Sequence, residues 1–268
     1  MSLLPGSLPA APSAGPNPRD LVTALAHGLA VIEAFDQERA RLTISEVAQR
    51  CGLSRAAARR YLITLEHLGY VSSERMLHGL TPKVLRLSQS WVHSARLPRI
   101  LDAHLQALAA TLREVSSVGV LDGDDVLWVA ANSGGHVDAT PPQRGARVPA
   151  HCSASGRVLL ATLAPPRLAA WFARQGPHTL APLTPYTETD PLRLRDVLEQ
   201  VRRQGHASVD QELALGLRAL AVPLYNYRGE VQAALEISAP AVRTTTAQLA
   251  EHCLAPLRQL QAGLRSTL

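Results

Sequence analysis

The sequence predicts an α+β protein in which a helical front part with one hairpin precedes a larger part with an antiparallel sheet. Three observations lead to this prediction. Apolar residues recur at helical spacing between residues 21 and 68, interrupted by short turns. Residues 116–132 and 217–240 instead form strand patterns around tight turns, as antiparallel hairpins do. Helical patterns lie before, between and after these hairpins, so we expect helices to pack on the sheet.

The composition favours a globular protein over a membrane or secreted one. Hydrophobic residues make up 46% of the 268 positions, which is enough for two ordinary domains with cores. No apolar run approaches the ~18–20 residues of a membrane span. The Pro-, Ala- and Ser-rich start lacks the features of a signal peptide, so we expect a disordered tail and a cytoplasmic location. The net charge of +5 and the pI of about 9.6 are compatible with nucleic-acid binding.

The first predicted helix begins at Leu21 and ends near Asp36. One face of it is apolar, as in an amphipathic helix. The residues of this face are Leu21, Leu25, Leu29, Ile32 and Phe35.

Two further helices follow, separated by a short glycine turn. Thr43 and Glu46 have the spacing of a capping box that starts the first of them. Gly52 can take the left-handed conformation that ends a helix, and Ser54 can cap the next one. Such a helix-turn-helix places its second helix in the DNA major groove.

The second helix of this pair, residues 54–68, carries arginines among small side chains. Its core side should contain Ala57 or Ala58, Tyr61, Leu62, Leu65 and Leu68. Small outward residues allow close approach to DNA, and arginines reach guanine edges or phosphates. The predicted DNA-contacting residues are Thr43, Ser54, Arg55, Ala56, Ala57, Arg59, Arg60, Thr64 and Arg75.

A strand, a tight turn and a second strand follow in residues 69–84 and predict a wing, with its tip at Ser72 to His78. A basic helix alone would favour a helical bundle with a solvated basic face. The glycine turn before it and the wing behind it favour DNA binding instead.

The back part begins with a predicted linker helix at 81–98, in which Leu85, Leu87 and Trp91 have near-helical spacing. An amphipathic helix follows, and then a hairpin that turns at Asp122–Gly123. Further predicted elements are a helix starting near Ser155, a helix over 191–207, a hairpin that turns at 226–229 and a closing helix from 244.

The loop His151–Gly156 consists of small residues before a helix. Its backbone N–H groups and the positive end of the helix would suit a carboxylate, with hydroxyl donors from Ser153 and Ser155. Equally, Ser153 could cap the helix and the small residues could permit tight packing. The residues alone leave both interpretations open.

Several separated segments resemble the IclR family of bacterial transcription regulators over about residues 20–265. The front part carries "ALAHGLAVIEAF", "LTISEVAQRCGLSRAAARRYLITLEHLGYV" and "LTPKVLRL". The back part carries "RVPAHCSASGRVLLATL" and "DQELALGLRALAVPLYNYRGEVQAALEISAP". The segments "GLSRAAARRYLITLEHLGYV" and "SSVGVLDGDDVLWVA" are most similar to the branch that controls aromatic-acid (protocatechuate and β-ketoadipate pathway) catabolism.

The resemblance implies an N-terminal winged helix-turn-helix, a linker helix and a C-terminal GAF-like effector-binding domain with an antiparallel sheet. We therefore expect a tail at 1–18, a DNA-binding domain at 19–80, a linker helix at 81–98 and an effector-binding domain at 99–268. It also implies, with the loop described above, an effector site made of Arg147, Ser153, Ala154, Ser155, Val209, Ala219 and Glu236.

Glu236 is an unusual acid for a sheet that binds an organic acid. It would repel a second carboxylate unless it is protonated, or paired with a cation such as Arg147 or Arg218. Val209 and Ala219 are apolar where relatives can place polar groups. The identity of the effector therefore stays open between aromatic and dicarboxylic acids.

The motifs of enzymes and metal sites are missing from the sequence. "SASG" lacks the first glycine of a nucleophile elbow, and no H-x-x-x-H, C-x-x-C, Walker or G-x-G-x-x-G pattern occurs. The three cysteines, Cys51, Cys152 and Cys253, lie far apart. We therefore expect no catalytic residue, no metal and no cofactor.

The favoured hypothesis is a ligand-responsive regulator that binds a near-palindromic double-stranded operator as a homodimer or homotetramer. Its further expected partners are a small organic acid and RNA polymerase. We expect no association with a membrane. One alternative is a small-molecule sensor whose helix-turn-helix serves protein contacts. A third is a hydrolase that uses Cys152 or Ser153.

Overall fold

The computed structural model describes residues 18–36, 39–87, 96–133, 142–175 and 180–268. The chain divides into two compact units, Met1–Ala95 and Arg96–Leu268. Residues 1–17 of the predicted tail and residues 88–95 of the predicted linker helix, Trp91 among them, lie outside the described residues.

The first unit is a three-helix domain with a two-stranded antiparallel hairpin. Its elements are α1 (Thr23–Glu33), α2 (Ile44–Arg50), α3 (Arg55–His67), β1 (Val71–Glu74) and β2 (Leu77–Leu80). Short 3-10 helices lie at Pro18–Asp20 and Pro82–Val84, and residues 85–87 are helical. Its core contains Val31, Leu42, Val47, Ala58, Leu62, Leu65 and Val71.

The first helix is shorter than predicted, and only Ile32 and Phe35 of its predicted apolar face pack on the core of the first unit. Leu21, Leu25 and Leu29 are 56%, 62% and 48% exposed, whereas Val31 is fully buried. The helix packs on the core only near its C-terminal end, so the leucines of its first turns lie beyond that contact. It ends at Glu33, three residues before the predicted end.

The helix caps and the turn of the helix-turn-helix are as predicted. Thr43 and Glu46 form a capping box, Gly52 has a φ of 63°, and the Ser54 side chain caps α3. On the core side of α3 the open choice falls on Ala58, which is fully buried. Leu68 was expected there but is 48% exposed, because it is the C-cap residue and follows the last turn.

The second unit is a six-stranded antiparallel sheet with helices on both faces. Its helices are α4 (Arg96–Leu112), α5 (Ala154–Ala161), α6 (Pro165–Arg174), α7 (Pro191–Gln204) and α8 (Thr246–Leu264). Its strands are β3 (Val115–Asp122), β4 (Asp125–Asn132), β5 (Arg147–Pro149), β6 (Ala207–Asp210), β7 (Leu217–Tyr225) and β8 (Val231–Pro240). The strand order is β5-β4-β3-β8-β7-β6.

Two hydrophobic cores lie on opposite faces of this sheet. Leucines of α4 and α8, such as Leu105 and Leu257, cover one face. Residues of α5, α6 and α7, such as Leu160, Trp171 and Leu198, cover the other face. The predicted α+β class with an antiparallel sheet is confirmed, although the sequence analysis did not predict α6, β5 or β6.

None of the helices in the described part of the chain is long and apolar enough to cross a membrane.

Candidate nucleic-acid interface and buried ligand site

The outer surface of α3 carries three arginines that the fold leaves available. Arg55, Arg59 and Arg60 are exposed. Within the described residues, none of their guanidinium groups has an ion-pair partner, whereas Arg41 pairs with Glu74 at 3.0 Å and Arg50 pairs with Asp36 at 2.7 Å. Unpaired guanidinium groups on a helix suit phosphate oxygens and guanine edges.

The predicted DNA-contacting hydroxyls already make hydrogen bonds within the domain. The Thr43 hydroxyl donates to the Glu46 carboxylate at 2.8 Å, and Ser54 Oγ accepts from the Ala57 N–H at 3.2 Å. The Thr64 hydroxyl donates to the Arg60 carbonyl at 2.8 Å. The first two bonds cap the starts of α2 and α3, the third lies within α3, and each hydroxyl oxygen keeps some capacity to accept a further bond.

The wing turns sharply at two residues of positive φ. Arg75 and Met76 have φ values of 51° and 67°, the left-handed pair that a two-residue hairpin turn requires. Both are exposed, which places Arg75 at the wing tip. His78 was predicted at the tip but is buried in β2, where its backbone pairs with that of Leu42.

Lys83 connects the end of α3 to the base of the wing. Its ammonium donates to the carbonyl of Leu68 at 2.6 Å and lies 5.1 Å from the centre of the Tyr70 ring. A cation at the C-terminus of a helix is favoured by the helix dipole. The contact therefore fixes the wing relative to the arginine-bearing helix.

In the second unit, the sheet face beneath α5 is lined by small residues around one acid. Glu236 on β8 pairs directly with Ser117 on β3 and with Ala221 on β7. The next positions on this face are Gly119, Ala234, Ala219 and Val209. Val209, Ala219 and Glu236 thus share a face with the N-terminus of α5.

Glu236 is held at the start of α5 and is almost fully buried. Its carboxylate accepts a hydrogen bond from the backbone N–H of Ser155 at 2.8 Å, and the residue is 3% exposed. Burial raises the pKa of Glu236 to about 7, against the opposing effect of the hydrogen bond from Ser155. The acid is therefore partly protonated near neutral pH.

The N-terminus of α5 is already occupied by the chain's own oxygens. Ser153 Oγ accepts from the Gly156 N–H at 3.2 Å and donates to the Pro149 carbonyl at 3.0 Å, so Ser153 is a helix cap. Glu236 accepts from Ser155. An effector carboxylate could bind these N–H groups only by displacing Ser153 or Glu236.

The two cations considered as partners for Glu236 lie elsewhere, and that pairing is wrong. Arg147 is on the edge strand β5, separated from β8 by β4 and β3, and it pairs with Asp122 and Asp125 at 2.8 and 3.2 Å. Arg218 points to the opposite face of the sheet and pairs with Asp210 at 2.8 Å. Alternation along the strands directs both guanidinium groups away from Glu236.

Sequence reasoning missed two parts of this site. The Ser117 hydroxyl is fully buried and has no hydrogen-bond partner among the described residues. Arg157, 3% exposed, donates to the Glu212 carboxylate at 2.6 Å and to the His151 carbonyl at 2.9 Å. The signal for the second was an arginine within the apolar segment "SGRVLL".

The residues proposed for a hydrolase do not form a nucleophile–base pair. Burial raises the pKa of Cys152 to about 12, so its thiol stays protonated near neutral pH. The His151 ring faces the Ala181 carbonyl at 3.2 Å, and Ser153 caps α5. Among the described residues, no three His, Cys, Asp or Glu side chains could hold a metal ion.

A cleft of about 360 Å³ lies at the other end of α5, between the α7 C-terminus and the β7–β8 hairpin. It is lined by Val158, Arg202, Tyr225 and Glu230 among others, and by none of the predicted effector residues.

Comparisons with known proteins match both units. The model of the IclR helix-turn-helix domain matches residues 24–75, and that of the bacterial transcriptional regulator IclR C-terminal domain matches residues 89–262. The Pca operon regulatory protein of Acinetobacter baylyi is 36% identical over 253 residues, 93% of this chain and 90% of that protein. The p-hydroxybenzoate hydroxylase transcriptional activator of the same organism is 37% identical over 252 residues, 92% of each chain.

A solved structure is similar to the second unit. It is a double mutant of the PobR inducer-binding domain from Acinetobacter, in complex with 3-hydroxybenzoic acid. It is 31% identical with a TM-score of 0.60, and the match covers 65% of this chain and all of that chain.

Proposed function

Because the chain belongs to the IclR family of bacterial transcription regulators, we propose that it binds operator DNA through α3 and the wing and responds to an aromatic acid in its second unit. The DNA-binding part of the proposal is supported by the exposed arginines on α3, none of which has an ion-pair partner in the segments that the structure describes. Arg55, Arg59 and Arg60 supply the base and phosphate contacts from α3, and Arg75 supplies a phosphate contact from the wing tip.

The effector class is supported by the relatives and by the sheet face beneath α5. One relative is named for p-hydroxybenzoate hydroxylase, another for the Pca operon, and the PobR domain was solved with 3-hydroxybenzoic acid. In this chain the residues beside Glu236 on this face have small side chains, Ala219, Ala221 and Ala234. Glu236 favours a monocarboxylate, because a second carboxylate of a dicarboxylic acid would meet a buried acid.

The regulator acts as a homodimer or homotetramer on a near-palindromic operator, since each chain carries one helix-turn-helix and so reads one half-site. Effector binding shifts the relative placement of two DNA-binding domains through the residues that join the units, and this changes operator or RNA polymerase engagement. The protein is cytoplasmic and has no catalytic activity of its own.

The DNA-binding proposal is tested by fluorescence anisotropy with the DNA upstream of the protein's own gene. We expect a specific complex whose affinity falls steeply with salt, by roughly one power of the salt concentration for each phosphate contact. Arg59→Ala should weaken binding by about tenfold and reduce the salt slope. The matched control is Arg167→Ala, which removes an exposed arginine from α6 of the other unit.

A salt-sensitive complex that Arg59→Ala leaves intact would contradict the assignment of α3. The absence of any specific complex would favour the alternative in which the helix-turn-helix serves protein contacts.

A further inference from the structure

We propose that Arg60 and Ile63 of α3 read bases of the operator, Arg60 a guanine and Ile63 the 5-methyl group of a thymine, whereas Arg55 and Arg59 hold the DNA backbone. This inference rests on the proposed function, because it assumes that α3 binds DNA. It divides the arginines of α3 by task, and it adds Ile63, which is absent from the predicted DNA-contacting residues.

The buried side of α3 determines which of its residues point furthest from the domain. Ala58 and Leu62 are fully buried, and Leu65 is 7% exposed. Successive residues of an α-helix are rotated by about 100°, so Arg60 lies about 165° from the mean direction of these three residues, and Ile63 about 135°. Both residues therefore lie on the outermost side of α3.

Arg55 and Arg59 lie instead on a flank of the helix. The same rotation places Arg59 about 95° and Arg55 about 55° from the buried direction. The major groove is about 12 Å wide, hardly wider than a helix with its side chains, so the outermost side of the helix meets base edges and its flanks meet the sugar–phosphate strands. Arg60 is thus placed for bases, and Arg55 and Arg59 are placed for phosphates.

The outermost side of α3 carries a small, a cationic and an apolar side chain in one row. Ala56, Arg60 and Ile63 follow one another at positions i, i+4 and i+7, so they are neighbours on the helix surface. All three are exposed, Ile63 by 46%. The ion pairs in the described part of the first unit do not include Arg60. Its guanidinium group is therefore available for a base.

A guanine and a thymine offer the groups that match this row. An arginine donates two hydrogen bonds to O6 and N7 of guanine, and an apolar side chain packs on the methyl group of thymine. Three residues advance about 4.5 Å along a helix, close to the ~3.4 Å between successive bases of one DNA strand. Arg60 and Ile63 therefore meet neighbouring base pairs.

The position of Ile63 distinguishes it from other exposed apolar side chains. A single apolar side chain on a protein surface is ordinary. Ile63, however, follows Arg60 by three residues on a helix with three arginines and one acid, Glu66. The DNA backbone supplies the negative charge that complements these arginines. We therefore assign a base to Ile63, and not a second protein.

The test is fluorescence anisotropy of the full chain with the DNA upstream of its own gene, prepared in three forms. One form is unmodified, one carries deoxyuridine for thymidine and so lacks the 5-methyl groups, and one carries 7-deazaguanine, which lacks N7. The wild-type chain should bind the unmodified DNA at least about fourfold more tightly than the deoxyuridine form, the effect of burying one methyl group. Its preference over the 7-deazaguanine form should be at least about fivefold.

Two variants should each become insensitive to one modification. Ile63→Ala should bind the unmodified and the deoxyuridine DNA equally, and as tightly as the wild-type chain binds the deoxyuridine form, which reports an intact fold. It should keep the preference over 7-deazaguanine. Arg60→Ala should lose that preference and keep the preference for thymine.

Two further variants are controls. Arg59→Ala should weaken binding to all three forms by a similar factor, because a phosphate contact carries no sequence information. Leu215→Ala removes an apolar side chain of the same size as Ile63, 64% exposed in the second unit, and should keep both preferences.

Three results would overturn the inference. They are wild-type binding that is insensitive to both modifications, a thymine preference that survives in Ile63→Ala, and a guanine preference that survives in Arg60→Ala or disappears in Arg59→Ala. The second of them would assign Ile63 to a protein contact. The absence of a specific complex between the wild-type chain and unmodified DNA would instead refute the proposed function, so the two failures are distinguishable.

Discussion

The arginine surface of α3 and the acid-containing sheet face under α5 contrast in almost every physical respect. Arg55, Arg59 and Arg60 are exposed and have no ion-pair partner within the described part of the chain, and they lie within six residues of one another. Glu236 is buried, and its contacts come from β3, β7 and α5, with Ser155 81 residues away in sequence. The first surface is prepared for a partner outside the chain. The second has used its own groups to satisfy the start of a helix.

We therefore expect the two regions to differ sharply in how well they tolerate substitution. Removing an exposed charged side chain changes the stability of the fold little, because water solvates the partner that remains. Removing one member of a buried ion pair destabilises the fold strongly, because the other charge stays buried without a partner.

The largest effect is expected at the buried ion pair beside the ligand site. Arg157→Met should lower the free energy of unfolding of the second unit by about 3–5 kcal/mol, because Glu212 would keep its charge in a buried position. Chemical denaturation measures this value. The double variant with Glu212→Gln should recover part of the loss. The matched control Arg174→Met breaks an exposed pair with Asp124 and should change stability by less than about 1 kcal/mol. Equal losses of unfolding free energy in Arg157→Met and Arg174→Met would contradict the expected difference between a buried and an exposed ion pair.

A smaller and pH-dependent effect is expected at Glu236. Its pKa of about 7 in the folded chain exceeds the ordinary value of 4.5, so the folded state holds its proton more tightly than the unfolded state. Between those two values, rising pH therefore removes stability, and above about pH 7 the loss is complete. Glu236→Gln should raise the free energy of unfolding at pH 8 by at most about 3 kcal/mol, and should have little effect at pH 4.5.

Thermal unfolding at a series of pH values checks this prediction, with Glu251→Gln, an exposed acid on α8, as the matched control. A stabilisation that is the same at every pH, or a loss at pH 8, would contradict the raised pKa.

The smallest effect is expected at the cap of α3. Ser54→Ala removes the hydrogen bond to the Ala57 N–H and should lower the stability of the first unit by about 1 kcal/mol. Ser45→Ala, at an exposed position within α2, should cost nothing measurable. Far-UV circular dichroism during urea unfolding compares the two. A loss in Ser45→Ala as large as that in Ser54→Ala would show that α3 does not depend on its cap.

The sequence could predict the first unit almost completely because its signals are local. Thr43, Gly52 and Ser54 act on residues two to four positions away, so their pattern is visible along the chain. The sequence could not predict which residues of α1 are buried, because this depends on how far the helix extends beyond α3. The exposed leucines of its first turns follow the same periodicity that buried residues would.

The candidate ligand site could be predicted only in outline. The small residues of 151–156 and the odd acid at Glu236 stand out in the sequence, and the structure brings them together. The partner of Glu236 could not be found, because strand register decides which side chains meet, and the sequence does not show that Arg147 and Arg218 lie away from the acid. The register placed Ser117 opposite the acid and left Arg147 at the sheet edge.

The claim that both regions belong to one ligand-responsive switch is tested most directly by in vitro transcription from the protein's own upstream region, with and without 4-hydroxybenzoate. We predict that the ligand changes transcript levels with the wild-type chain, that Arg59→Ala loses its effect on the promoter, and that Glu236→Gln keeps the ligand-free level while responding more weakly. Transcript levels that stay constant while the wild-type protein occupies the promoter and binds the ligand would contradict the account.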